Sequence, residues 1–296
     1  MAEIKDMDIS KGLQLHCGSA LCTRAEAEAV PEPEPTASHW PIPHGLLIEN
    51  TISALVGSGF VITQEAHALW GGGLRYFGIF ALAPAEADLG SKHAWTHCLG
   101  LRSSHDKSFA SQGLLGTYMP FICDNLCWSG GNVFKFARKA TKYIRRDLEG
   151  VIWAEIGKLG QRQKDLDARY LAYQHHEFGQ DSDLVDTSNI VLSDADIRCE
   201  ANDFFIRAMK AKATSTSRLL KVVREWERED GPAGCVDKDP HLARPTAYRM
   251  MNAFTAVERE YPSLLEGPRR NARLTGLLDA ETKFTMSNLE DFKSVE

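Results

Sequence analysis

The sequence predicts an α+β protein, an antiparallel-sheet-containing N-terminal domain followed by a helical C-terminal half. Three observations predict it. Short apolar runs separated by glycine-rich turns crowd residues 60–131, as strands joined by hairpins do. Apolar stripes at helical spacing fill much of residues 147–278. The strands come first and the helices after, without the regular alternation of a parallel α/β sheet. At 296 residues the chain suits one large or two ordinary domains.

Residues 1–45 read as an extended arm or linker, either loose or ordered by a partner. Pro31, Pro33 and Pro35 alternate with Glu32 and Glu34, a pattern that favours solvated, extended backbone. Residues 46–146 read as the sheet-containing domain. Leu47, Ile48, Ile52, Leu55 and Val56 fit a helix that Gly57-Ser58-Gly59 stops. Phe60-Val61-Ile62 starts a strand. Residues 69–70 and 74–80 read as strands around a Gly71-Gly72-Gly73 turn. Those glycines lack the Lys-Ser/Thr of a phosphate loop. Residues 95–101 and 114–127 continue the sheet.

Residues 147–296 read as a helical region. One long helix is expected over 147–178, a second from Ser193 as N-cap, and a third over about 217–228. A fourth carries Tyr248, Met251, Phe254 and Val257, and a short last one carries Leu274, Leu277 and Leu278.

The net charge of -6 opposes general attraction to nucleic acid or an anionic membrane. No apolar run approaches the ~20 residues that span a bilayer. Seven cysteines without a repeating framework, and a charged N-terminus, point to reduced thiols in a cytoplasmic setting.

Ser104-His105-Asp106 invites comparison with a hydrolase triad. Adjacent residues on a strand face opposite ways and cannot form that relay among themselves. A turn held by the Ser and Asp side chains, with His105 satisfied locally, is the simpler reading. Cys123 and Cys127 would lie ~13 Å apart on a strand, too far for one zinc ion; a turn between them would bring them together, and buried free thiols are the simpler reading. His175-His176-Glu177 points three ways around a helix end and is no metal clamp. No catalytic set, metal site or cofactor is assigned. Lys135, Arg138, Lys139, Lys142, Arg145 and Arg146 form the basic cluster of the chain, interleaved with aromatics. It is a solvated face or a possible nucleic-acid contact.

The stretch LRSSHDKSFASQGLLGTYMPFICDNLCWSGG, residues 101–131, resembles the signature of the phage- and plasmid-borne proteins called domain-of-unknown-function family 932. Members carry a Ser-His-Asp turn, a strand run to Cys-Asp/Gln-Asn, a small-residue turn and a basic segment. The matching residues are Ser104, His105 and Asp106, then Cys123, Asp124 and Asn125, then Ser129 and Gly130, then residues 135–146. Thr246-Ala247-Tyr248, with Asn252, Ala253 and Thr255, is similar to the family's C-terminal helix. The resemblance implies a mobile-element origin and assigns no reaction. Size and setting are also similar to phage Gabija anti-defence proteins, which bind a nuclease–helicase defence complex. The expected function is a counter-defence protein that binds a host defence complex and self-assembles as a homo-oligomer in the host cytoplasm. The alternative is a DNA-associated phage or plasmid maintenance protein that uses the basic run.

Overall fold

The fold is α+β. The computed structural model describes residues 20–36, 39–84, 96–118, 133–134, 143–179, 194–237, 239–258, 260–261 and 266–285. The chain divides into two compact units, Met1–Trp128 with Asn132–Gln163, and Ser129–Gly131 with Lys164–Glu296.

The first unit is built on a hairpin. Gly71, Gly72 and Gly73 all adopt positive φ (64°, 68° and 90°), where side chains are disfavoured. They turn β2 (Phe60–Trp70) back into β3 (Arg75–Pro84), with Trp70 opposite Arg75. β4 (Thr96–Ser104), β5 (Gln112–Tyr118) and β6 (Val133–Phe134) extend the meander. β1 (Ala20–Cys22) pairs with the other side of β2, so the six antiparallel strands lie in sequence order.

Tyr76, Phe80, Leu82, Leu99 and Leu101 share one face through strand alternation and pairing register. They form one buried cluster with Leu47, Ile48 and Leu55 of α2 (His44–Gly57) and with Leu148, Ile152 and Ile156 of α3 (Ile144–Ile156). Each such side chain contributes roughly 1.5–3 kcal/mol on burial. Phe77, Ile79, Ala81 and Cys98, on the opposite face, are buried as well.

Several expectations change. Residues 20–36 are not simply extended: they hold β1 and the short helix α1 (Arg24–Glu28). Thr23 and Glu26 form a reciprocal capping box, and Ala27 is fully buried in the core cluster. Val56 is 60% exposed, off the buried stripe of α2. The expected long helix is two, α3 and α4 (Leu159–His175). Gly157 caps α3 at the break and Gly160 lies in the first turn of α4, and glycine costs about 1 kcal/mol in a helix interior relative to alanine.

In the second unit the part of α4 from Lys164 is followed by α5 (Asp194–Lys210), α6 (Thr216–Glu227), the 3-10 turns Pro232–Gly234 and Pro240–Leu242, α7 (Ala247–Glu258) and α8 (Glu266–Glu281). The last helix is sixteen residues long, not short. α7 is central, with every residue from Ala247 to Val257 buried. Edge-to-face ring contacts tie its neighbours together. Phe204 meets Phe254 at 6.2 Å and Phe178 at 5.7 Å, and Phe178 meets Trp226 at 5.5 Å. Such pairs add about 0.5–1.5 kcal/mol each beyond simple burial. Among the described residues, no helix is long and apolar enough to cross a membrane.

Candidate functional site

The Ser-His-Asp segment leaves β4 and forms a turn. Ser104 Oγ donates to the Phe109 carbonyl (2.7 Å) and accepts the Phe109 N–H (3.1 Å). Asp106 Oδ1 accepts the Ser108 N–H at 3.0 Å, which leaves Lys107 between them at φ 64°. Ser104 and Asp106 thus hold the turn, as their residue types predict. His105 differs. Its backbone N–H donates to the Leu74 carbonyl of the hairpin (2.7 Å), and its ring Nε2 donates to the Ile42 carbonyl (2.9 Å). The imidazole is therefore satisfied from a distant segment, not within the turn.

His105 also stacks on His44, the first residue of α2. The ring centroids are 3.9 Å apart and the planes 10° from parallel. His44 Nε2 lies 3.0 Å from the Gly73 carbonyl. A carbonyl only accepts, so each Nε2 carries its proton and each Nδ1 is a lone pair. Neither Nδ1 has a hydrogen-bond partner. Burial pushes His44 down to about 4, the adjacent His105 ring adds to this, and the Gly73 bond opposes it. Burial also lowers His105, against the opposing bond to Ile42. Both rings are neutral at pH 7, and protonating both would set like charges face to face.

Tyr76 continues the cluster. Its ring lies 5.3 Å from His44, and its hydroxyl lies 2.9 Å from His67 Nδ1. His67 Nε2 is 3.7 Å from Glu65, beyond hydrogen-bond reach, so Glu65 acts there by charge. Burial lowers His67, and Glu65 opposes the shift. Glu65 itself pairs with Arg24 of α1. Burial raises the Tyr76 hydroxyl. Chemically this is a neutral polar seam that fixes segment 41–44, the hairpin and the Ser-His-Asp turn against one another. Gly78 makes room for it, since a Cβ there would lie 2.0 Å from the Tyr76 hydroxyl. Gly78→Ala is expected to cost about 1–3 kcal/mol through overpacking. Urea denaturation should show that cost shrinking in a Tyr76→Phe background, where the clashing hydroxyl is gone.

On the other face of the sheet, two large apolar side chains are exposed at the edge. Leu21 pairs with Ala68 and therefore faces the same way as Trp70. Leu21 is 73% exposed and Trp70 46% exposed. The Arg75 guanidinium lies 4.5 Å from the Trp70 ring centroid and is held by Asp106 Oδ2 at 2.7 Å. Burial acts against ionisation of Asp106, but hydrogen bonds from Ser108 and Arg75 outweigh it and hold the carboxyl below its usual range. The Ser-His-Asp turn thus faces two ways: His105 inward to the seam, Asp106 outward to the Trp70–Arg75 stack. Sequence reasoning picked out the turn but missed His44, His67, Tyr76 and Trp70, which carry no local motif.

Cys123, Asp124, Asn125, Lys135, Arg138, Lys139 and Lys142 lie outside the described residues, and of Arg145 only its place on α3 is described. Arg146 pairs with Asp147 at 2.8 Å and lies over Tyr143. Among the described cysteines, Cys22, Cys98, Cys199 and Cys235 form no disulfide. Compared with family models, curated proteins and solved structures, the chain matches none of them.

Proposed function

We propose that the chain acts by occupying another protein's surface, as a phage or mobile-element counter-defence factor directed at a host nuclease complex. The observation that carries the binding part is the sheet-edge ledge of exposed Leu21 and Trp70, with half-buried Arg75 stacked on Trp70. Aromatic and Arg side chains at a surface that are held in place before binding lose little freedom on contact, which is the make-up of interface hot spots. The three-residue β1 covers only His67, Ala68 and Leu69 of β2, so edge backbone adjoins the ledge. The counter-defence part rests on the resemblance of residues 101–131 to phage- and plasmid-borne proteins. Self-assembly would add avidity against a large target.

The test is co-purification of the full chain with a Gabija-type nuclease–helicase complex, with stoichiometry from mass photometry and rescue of phage infection in hosts carrying that system. Leu21→Asp and Trp70→Ala together should weaken capture at least tenfold while leaving the melting temperature unchanged. Capture that is indifferent to both substitutions would remove the ledge from the mechanism. Absence of both complex formation and infection rescue would overturn the reading.

A further inference from the structure

We propose that His176, Glu200 and Glu281 hold a divalent transition-metal ion of the zinc class in the second unit. His176 directly follows α4, Glu200 lies on α5 and Glu281 ends α8. One ring nitrogen of His176 and one carboxylate oxygen from each glutamate lie within 4.8 Å of one another. Three segments distant in sequence thus bring three ligand-type atoms together, which helix periodicity alone does not produce. A second observation is independent of that convergence. His176 Nε2 is shielded from solvent yet has no hydrogen-bond partner. Buried polar atoms are rarely left so, and an ion is one remedy.

The surroundings fit a ligand set. The Gly179 N–H donates to Glu200 Oε2, and Arg207 pairs with Glu281 Oε2 at 2.7 Å. Each contact orients a carboxylate, as outer partners do around metal sites. Arg207 and Lys283 oppose a cation electrostatically. Two carboxylates balance a divalent charge, and the imidazole favours zinc-like ions over magnesium or calcium. Donors ~2.1 Å from a tetrahedral ion are ~3.4 Å apart, so binding would draw the three side chains together and pin α5 and α8 to the end of α4.

The experiment uses the untagged full chain, stripped with a chelator, then titrated with zinc in a calorimeter and melted with and without it. Cobalt absorption reports the coordination. One saturable site, a raised melting temperature and a tetrahedral cobalt spectrum are expected. Glu200→Gln and Glu281→Gln keep an oxygen for Gly179 and Arg207, so their apo melting temperatures should match the parent. Each should bind zinc at least tenfold more weakly, and the double variant should show no saturable site. Zinc binding untouched by the double variant would assign the ion elsewhere, for instance to thiols, and overturn the proposal. So would no saturable binding, or magnesium binding as tightly as zinc.

Discussion

Replacing Arg249 with Met is expected to cost about 3–5 kcal/mol, enough to unfold the second unit under mild denaturant. Arg249 sits on α7, 8% exposed. Its hydrogen-bond acceptors in the structure are backbone carbonyls. Nε and Nη2 donate to Trp226 (2.9 and 2.6 Å), Nη2 to Arg228 (2.5 Å), and Nη1 to Leu242 and Ala243 (2.7 and 3.2 Å). Trp226 and Arg228 end α6, while Leu242 and Ala243 end the 3-10 turn Pro240–Leu242. Both termini leave carbonyls without helical partners and carry partial negative charge. One planar guanidinium therefore caps two helix ends and offsets both dipoles. Removing it strands four acceptors, each costing about 1–3 kcal/mol where water cannot reach. Arg249→Lys should recover part of the loss, because one ammonium cannot address two diverging carbonyl pairs. Denaturant midpoints for the three proteins should rank Arg above Lys above Met. Equal midpoints would show that the carbonyls are solvated when Arg249 is absent.

Arg249 illustrates what the sequence hides. On helical spacing it is one charged residue among apolar neighbours, and nothing local says that it faces inward. The hairpin, by contrast, was legible because three successive glycines have few structural uses. α2 was legible from its apolar stripe and its glycine stop. α1 was readable in principle, since Thr23-x-x-Glu26 is a capping box, but the prolines just after it set the expectation of extended chain. β2 was read only at its ends because Gln64, Glu65 and His67 interrupt the apolar pattern. Register shows why: Glu65 and His67 face α1 and Tyr76, where Arg24 and a hydroxyl meet them. At the site, the turn chemistry of Ser104 and Asp106 is local and could be anticipated. The stack of His44 on His105 and the meeting of His176, Glu200 and Glu281 are long-range and leave no spacing to read.

Stability is expected to fall as pH drops from about 6.5 towards 4, through the buried histidines of the seam. The sign follows from proton uptake. His44 titrates near 6.5 when unfolded and at about 4 when folded, so between those values the unfolded chain binds more protons. The His44 contribution is complete above about pH 6.5 and is lost as pH falls, by about 2 kcal/mol at pH 5 and about 3 kcal/mol in full. His67 and His105 shift in the same direction and steepen the fall. Asp279 acts against it, because burial raises that carboxyl and its protonation favours the folded state. Urea denaturation at pH 7.5, 6.0 and 5.0 measures the slope. His44→Phe keeps an aromatic ring beside His105 but removes the titrating group, so its curve should be flatter than the parent's. Parallel curves would place the acid sensitivity outside the His44–His105 stack and would make the stack a packing contact alone.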